Sequence, residues 1–173
     1  MTETSPTADP IKNPRAARLI QAEKRCIQNG GTILRLSGLY TLERGAHNYW
    51  LEKVSPDEEG NIKLKGREDG IVNLLHYDDA ANAAMTAIFH KSNTDDIRGK
   101  IFLISDGNPT TRKGICESAM KAARYKDKKV PIFEGGDSDD MGKIYDSTWT
   151  NDVLKWKPVF ASSFEDFMAS NKE

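Results

Sequence analysis

Four consecutive side chains between two apolar runs have functional groups that could carry chemistry: His76, Tyr77, Asp78 and Asp79. They place an imidazole, a phenol and two carboxylates in the segment NLLHYDDAANAAMTAIF, residues 73–89. A carboxylate at the start of a helix can instead accept hydrogen bonds from the first unpaired N–H groups, and the helix dipole favours it there. The sequence favours this capping interpretation for Asp78 and Asp79. His76, at the end of a strand, either faces a ligand cleft or is structural.

A second group of aromatic and charged side chains lies between residues 35 and 53, in RLSGLYTLERGAHNYWLEK. Long connections that leave a buried strand are where binding groups concentrate. Arg44 provides a fixed cation, and we expect it to line a pocket. Tyr49 and Trp50 are predicted either to line the same pocket or to anchor a small helix in the core.

The acidic segment EGGDSDDMG, residues 134–142, resembles a calcium loop only in part. Asp137 and Asp139 fit the ligand pattern. Met141 stands at the next ligand position, and Thr148 stands where the loop needs its closing Glu. We therefore interpret the segment as a solvated acidic turn and predict no metal site.

Composition excludes several classes of protein. The 173 residues carry 25 Lys and Arg against 26 Asp and Glu, interleaved along the chain, so no basic stripe predicts a nucleic-acid partner. The longest apolar stretch, residues 80–89, is too short to cross a bilayer, and the polar N-terminus matches no secretory or transit peptide. Cys26 and Cys116 match no metal or redox spacing. We expect a soluble, cytoplasmic protein that binds neither nucleic acid nor membrane.

The hydrophobic pattern alternates between strands and helices. Successive apolar residues predict buried strands at 32–36, 71–75 and 101–105. Helical spacing predicts helices at 14–28, 78–91, 110–125 and 151–155, and a capping box at 162–165 begins a last helix. This alternation predicts an α/β fold with a largely parallel sheet.

Four segments together resemble the C-terminal half of extended short-chain dehydrogenase/reductases, the NAD-dependent epimerase/dehydratase family. They are AEKRCIQNGGTILRLSGLYTLERGAHNYWL, VNLLHYDDAANAAMTAI, GKIFLISDGNPTTRKGICESAM and WTNDVLKWKPVFASSFEDFM. The closest likeness is to atypical plant- and alga-like members with a Gly-Ala-His-x-Tyr-Trp-Leu segment. The similarity runs over nearly the whole chain, in order.

The resemblance implies the later part of a Rossmann-like parallel sheet plus a smaller substrate-binding α/β part. Residues 1–173 would form a single partial domain, with the N-terminal nucleotide-binding half absent. Residues 14–40 and 71–125 would supply Rossmann-side elements, and residues 41–70 and 126–173 would supply substrate-side elements. NAD or NADP is the cofactor expected for the full-length family, and we expect this chain alone not to bind it, since it lacks the G-x-G-x-x-G phosphate loop.

The same resemblance implies two sets of site residues. The nicotinamide side of the cofactor would pass Leu36, Ser37, Gly38 and Leu39, mainly along their backbone. The cleft for a small-molecule substrate would be faced by Tyr40, Arg44, His47 and Tyr49.

Catalytic residues cannot be assigned from the resemblance. Typical members carry a Tyr-x-x-x-Lys pair that moves a proton, and the corresponding positions here are Arg15 and Leu19. Two hypotheses follow: the C-terminal portion of an NAD(P)-dependent oxidoreductase or epimerase-like enzyme, or a non-catalytic, truncated binding or regulatory module. In the second case a parallel strand without its neighbour predicts poor solubility, a homo-oligomer or a complementing N-terminal half.

Overall fold

The computed structural model describes residues 1–7, 9, 11, 13–90 and 97–172 of the chain. The helices are α1 (Pro14–Gln28), α2 (Ala46–Asn48), α3 (Tyr77–Ile88), α4 (Arg112–Ala119), α5 (Thr148–Leu154) and α6 (Phe164–Ser170). A π-helix (Tyr49–Lys53) continues α2, and a 3-10 helix (Ala123–Tyr125) follows α4. The strands are β1 (Ile33–Leu36), β2 (Gly38–Tyr40), β3 (Lys63–Leu64), β4 (Ile71–Val72), β5 (Leu74–His76), β6 (Ile101–Ile104), β7 (Thr110–Thr111) and β8 (Ile132–Phe133).

The predicted α/β architecture is confirmed by the pairing of β1 with β6. The two strands run parallel, with Ile33 opposite Ile101 and Leu36 opposite Ile104. Phe102 and Ile104 are fully buried, as expected for strands covered by helices. Helix α1 has the predicted bounds because Pro14 suits its first turn and the Asn13 side chain accepts a hydrogen bond from the N–H of Ala16 at 3.0 Å.

The prediction of one strand over residues 71–75 is wrong. Strand β4 pairs antiparallel with β7, whereas β5 pairs parallel with β2. Asn73 separates them because its side chain donates to the carbonyl oxygen of Lys143 at 2.6 Å and accepts from the N–H of Tyr145 at 2.9 Å. A local pattern cannot show this break, since it depends on a segment 70 residues away.

The chain changes its partner strand between β1 and β2. The N–H of Ser37 still donates to Ile104 on β6, at 3.0 Å, whereas the N–H of Gly38 donates to Asn73, also at 3.0 Å. On the other side of β5, the carbonyl oxygen of Leu74 accepts from the N–H of Asp106 at 3.0 Å. Strand β5 therefore enters a fork between β2 and the segment that follows β6.

Two hydrophobic clusters fill the described part of the chain. The first joins β2, α4 and α6, and its buried members include Tyr40, Ile115, Tyr125, Phe164 and Met168. The second lies between α3 and the β1–β6 pair, and its buried members include Leu75, Ala83, Phe102, Ile104 and Trp156. Small alanines on α3, such as Ala80 and Ala83, pack in this cluster and allow the helix to approach the sheet closely.

Several predicted helix bounds need correction. The helix predicted over 110–125 is divided into α4 and the 3-10 helix. The last helix is capped by Ser163, whose hydroxyl accepts from the N–H of Asp166 at 3.1 Å, so the capping position lies one residue beyond the predicted one. Helix α5 starts three residues earlier than predicted and ends where Lys155 adopts a φ of 53°. Within the described residues, no helix combines the length and the apolar character that a membrane span requires.

Candidate functional site

The fork at the carboxyl ends of β1 and β6 forms the candidate site. Ligands of open α/β sheets bind outside the carboxyl ends of the strands, where neighbouring connections diverge. Gly38 permits the fork, because a Cβ atom there would lie 3.1 Å from the carbonyl oxygen of Asn73 and 3.2 Å from the Leu74 side chain. Any larger residue would push β5 away from β2.

The four residues assigned to the cofactor side lie along this fork. Leu36 ends β1 and is 42% exposed. Ser37 is buried, and its hydroxyl has no hydrogen-bond partner among the described residues. Gly38 is exposed at the start of β2, and Leu39 packs against the second hydrophobic cluster. Leu36 and Gly38, on either side of the buried Ser37, are thus the exposed residues of the fork.

His76 is a helix cap and not an exposed ligand group. Its Nδ1 accepts from the N–H of Asp78 at 3.2 Å, and its ring stacks on Phe160 with centroids 4.4 Å apart. Burial lowers the pKa of His76, although the negative charges of Asp78 and Asp79 act to raise it. A neutral ring whose Nδ1 accepts must carry its proton on Nε2. The predicted capping by the two carboxylates is therefore wrong, and the histidine performs that task.

Asp79 accepts hydrogen bonds from a distant segment instead of capping its own helix. Its side chain is fully buried and accepts hydrogen bonds from three consecutive backbone N–H groups, those of Val159, Phe160 and Ala161, at 2.7, 2.9 and 3.1 Å. Bonds from backbone donors to a carboxylate are among the strong hydrogen bonds of proteins. Asp79 therefore fixes the 159–161 segment, which carries the Phe160 ring, against the start of α3.

The His76 cap leads to a stability prediction. We expect His76→Leu, which keeps much of the volume but removes the acceptor, to lower the free energy of unfolding by about 1 kcal/mol at pH 7.5. Because the pKa of His76 is lower in the folded protein than its ordinary value of 6.5, its contribution is present above pH 6.5 and is lost as the pH falls below it. Urea unfolding at pH 7.5 and 5.5 measures both effects, and His76→Asn retains a capping acceptor as the control. An equal loss for both variants at both pH values would contradict this role.

Sequence reasoning missed Asp106, which follows β6 at the fork. Its Oδ1 accepts from the N–H of Asn108 at 2.8 Å, whereas its Oδ2 is buried without a partner among the described residues. Burial raises the pKa of Asp106 to about 6. The hydrogen bond from the N–H of Asn108 opposes this rise, whereas the negative charge of Asp79 adds to it. A carboxylate directly after a buried strand was the available signal, since that is where α/β sheets place ligand groups.

Tyr40 is a core residue next to the same carboxylates. It is 1% exposed, packs edge-on against the rings of His76 and Phe164, and its hydroxyl has no partner among the described residues. Burial, and then the negative charges of Asp106 and Asp79, raise the pKa of Tyr40 well above its ordinary value of 10.0. The phenol therefore stays protonated at neutral pH and can only act as a neutral donor or acceptor.

The other residues assigned to the substrate cleft lie at different depths. Arg44 is exposed, in a turn closed by a 2.9 Å hydrogen bond from the N–H of Thr41 to its carbonyl oxygen. Tyr49 is 60% exposed on the π-helix. His47 is buried, with Nε2 3.1 Å from the carbonyl oxygen of Leu42, and burial lowers its pKa. The structure thus exposes Arg44 and Tyr49 and buries Tyr40 and His47, and their contact with a substrate stays a prediction.

The described residues do not form a complete dinucleotide site. Ser37 and the adjacent backbone present polar groups at the fork, but the chain has no Gly-rich loop whose N–H groups could hold a pyrophosphate. The residues present therefore do not fit a complete NAD(P), and no chemical step through the cofactor follows for this chain. Within the described residues, no three or more His, Cys, Asp or Glu side chains come together as a possible metal site.

Comparison with solved structures identifies the fold. UDP-glucuronic acid 4-epimerase from Bacillus cereus, solved with NAD, matches with a TM-score of 0.66 and 14% identity, over 99% of this chain and 53% of that chain. dTDP-glucose 4,6-dehydratase from Bacillus anthracis, also with NAD, matches with a TM-score of 0.66 and 19% identity, over 99% and 54%. UDP-glucose 4-epimerase from Thermotoga maritima, with UDP-glucose, matches with a TM-score of 0.61 and 19% identity, over 90% and 49%.

These matches are structural and partial. No protein-family model and no curated protein matches the sequence. The chain spans about half the length of the solved structures that it matches. The resemblance to extended short-chain dehydrogenase/reductases is confirmed for the fold: the chain has the fold of about half of these solved epimerase and dehydratase structures.

Proposed function

We propose that this chain is the C-terminal portion of an NAD(P)-dependent epimerase/dehydratase-like oxidoreductase that acts on a small molecule, and that it is not active alone. The observation that carries the proposal is the match of nearly the whole chain to about half of such enzymes. The missing phosphate loop supports it, because an isolated portion would lack the groups that hold the cofactor.

The fork suggests how this portion would contribute. The exposed residues Leu36 and Gly38 would border the nicotinamide end of a cofactor held mainly by the other half. Exposure supports direct substrate contact for Arg44 and Tyr49. Burial supports an indirect role for Tyr40 and His47, which would hold the surrounding loop in place.

A non-catalytic binding or regulatory module is the second candidate. The observation that favours it is that Arg15 and Leu19 stand at the positions of the Tyr-x-x-x-Lys pair in the register of the resemblance. Neither side chain can deliver a proton as that phenol does, because a guanidinium stays protonated and leucine has no proton to give. Proton transfer would then have to come from another residue or be absent.

Ligand titration of the isolated chain tests the proposal. We expect NADH fluorescence to show no binding up to about millimolar concentration, because the Gly-rich loop that would hold the phosphates is absent. We expect UDP-glucose, the ligand of the Thermotoga structure, to shift NMR amide signals within residues 36–49. Micromolar binding of NADH, or no UDP-glucose-dependent shift in that range, would contradict it.

A pair of variants tests whether Arg44 contributes to ligand binding in this titration. Arg44→Ala removes the exposed cation of the loop and is expected to weaken UDP-glucose binding about tenfold, since a charge-assisted bond to phosphate contributes roughly 1.4 kcal/mol. Arg18→Ala removes an exposed cation from α1 and serves as the control, with unchanged binding. Equal effects of the two variants would indicate non-specific charge attraction and contradict the role of Arg44.

A further inference from the structure

The first residues of the chain lie at the candidate site. A hollow of about 550 Å³ has Gly38, the exposed glycine of the fork, in its lining, together with Val72 and Asn73. Three residues of the N-terminal segment line the same hollow: Met1, Pro6 and Thr7. The volume is within the range of small-molecule sites. The N-terminal segment therefore limits the space that a ligand would have beside Gly38.

Backbone hydrogen bonds dock this segment onto residues 144–146. The nitrogen of Met1 donates to the carbonyl oxygen of Ile144 at 2.7 Å, and the N–H of Asp146 donates to the carbonyl oxygen of Met1 at 2.8 Å. Asn73 binds the backbone of residues 143 and 145 from the fork. The N-terminal segment is thus attached to the fork through one intervening stretch of chain.

The side chain of Glu3 attaches the segment to the core. Its carboxylate accepts a hydrogen bond from the hydroxyl of Thr150, which is fully buried on α5 and itself accepts from the N–H of Leu103 on β6 at 2.9 Å. Hydrogen bonds to a charged group are stronger than bonds between neutral groups. Arg35 also donates to the carbonyl oxygen of Glu3, but at 3.5 Å and while paired with Glu23. The Glu3 carboxylate is therefore the strongest attachment described for residues 1–7.

These attachments leave the segment free to be displaced. Ordering a segment of this length costs backbone entropy, which a small number of hydrogen bonds offsets only in part. Residues 1, 4, 6 and 7 are exposed, so the segment buries little surface. Among the described hydrogen bonds, none joins residues 1–7 to residues 36–39. The segment can therefore leave the fork without breaking a bond to it.

We propose that residues 1–7, which we call the N-terminal strap, are an autoinhibitory element that a ligand displaces when it binds at the fork. A docked strap lowers the apparent affinity of the site, because only the fraction of molecules with the strap released can bind. By linkage, the ligand in turn favours release of the strap. Only the identity of the ligand rests on the proposed function, because release of the strap is measurable without any ligand.

Amide hydrogen exchange of Glu3→Ala measures release of the strap in the absence of ligand. We expect the amide of Asp146, which donates to Met1, to exchange about tenfold faster in this variant, since the strongest attachment is lost. The amide of Tyr145, which donates to Asn73, should exchange at an unchanged rate. A general loss of stability would instead accelerate both amides.

The reactivity of a cysteine placed in the hollow measures the same release from the side of the site. Val72→Cys is made together with Cys26→Ser, which leaves Cys116 as the other thiol, and Cys116 is fully buried. We expect the new thiol to react with iodoacetamide about tenfold faster when Glu3→Ala is added, because the released strap no longer lines the hollow.

UDP-glucose, the ligand of the titration above, tests whether the strap opposes binding. We expect Glu3→Ala to bind it about tenfold more tightly than the unmodified chain, and we expect the ligand to accelerate exchange at Asp146 in the unmodified chain. Glu3→Gln keeps an oxygen for the hydroxyl of Thr150 and should gain less affinity than Glu3→Ala. Glu58→Ala removes an exposed carboxylate outside the strap and should change neither binding nor exchange.

Each contrary result overturns the proposal in a recognisable way. Exchange at Asp146 and thiol reactivity that do not respond to Glu3→Ala would show that Glu3 does not hold the strap. Equal gains in affinity for Glu3→Gln and Glu3→Ala would show a charge effect on an anionic ligand. UDP-glucose shifts of equal affinity in Glu3→Ala and the unmodified chain would remove the autoinhibitory role alone. No shift in either chain, although Glu3→Ala releases the strap, would contradict the proposed function as well.

Discussion

Asp79→Ala is expected to lower the free energy of unfolding by about 3 kcal/mol, because it leaves three backbone N–H groups of the 159–161 segment without their acceptor. Part of the penalty is offset, since Val159 and Phe160 are exposed and water can reach them. Urea unfolding at pH 7.5 measures the loss. The segment itself should become accessible to protease, because nothing else in the described hydrogen bonds ties residues 159 and 160 to α3.

Two matched variants separate the loss of the Asp79 hydrogen bonds from the general effect of removing a negative charge. Asp79→Asn keeps one oxygen for Val159 and Phe160 but turns an amide group toward the N–H of Ala161, so we expect roughly half of the alanine effect. Asp78→Asn removes the neighbouring carboxylate, which is largely exposed and accepts none of these bonds, and should change stability by less than about 0.5 kcal/mol. Similar losses of unfolding free energy for the Asp78 and Asp79 variants would contradict the role of Asp79 in holding the 159–161 segment.

Asp106→Asn is expected to stabilise the protein above pH 6, by up to about 3 kcal/mol. The reason is that burial without a partner for Oδ2 penalises the charged form, which raises the pKa of Asp106 to about 6 from its ordinary value of 3.8. A carboxyl whose pKa is higher in the folded state stabilises the fold while it is protonated. Its contribution is complete below about pH 4 and is lost as the pH rises through 6. An amide resembles the protonated acid and has no such loss.

The pH dependence provides the sharper measurement of Asp106. The difference in unfolding free energy between Asp106→Asn and the unmodified chain should be near zero at pH 4 and should grow up to pH 7. Asp152→Asn, on the exposed side of α5, is the control and should show no such growth. If Asp106→Asn is less stable than the unmodified chain at pH 7, the carboxylate has a partner there. The cost of burying an unpaired carboxylate would then not dominate the change in unfolding free energy.

Elements with strong local signals were predictable from the sequence. Pro14 and Asn13 define the start of α1, and its observed bounds match the predicted ones. Apolar residues at 33–36 and 101–104 were sufficient to predict two strands, which pair in parallel. Strand β6 is largely buried as predicted, whereas β1 is only partly buried and its last residue, Leu36, is exposed. The domain boundaries and the assigned site residues stay predictions, because no observation on this chain tests them.

The same local rules failed where a side chain has a distant partner. The two carboxylates after His76 fit a helix start equally well, yet one of them holds a segment 80 residues away. Asn73 divides a continuous apolar run because its side chain binds residues 143 and 145. Tyr40 and His47 have the chemistry of binding residues, but the packing of α6 and the 3-10 helix buries both rings.

The sequence by itself determined the α/β class, the two parallel strands and the alanine-rich helix that covers them, because these depend on spacing within one segment. Tertiary structure alone decided which polar groups are paired and which are left buried without a partner. Hydrogen bonds such as those of Asp79, and the desolvation of Asp106, depend on residues far apart in the chain, and periodicity contains no information about them.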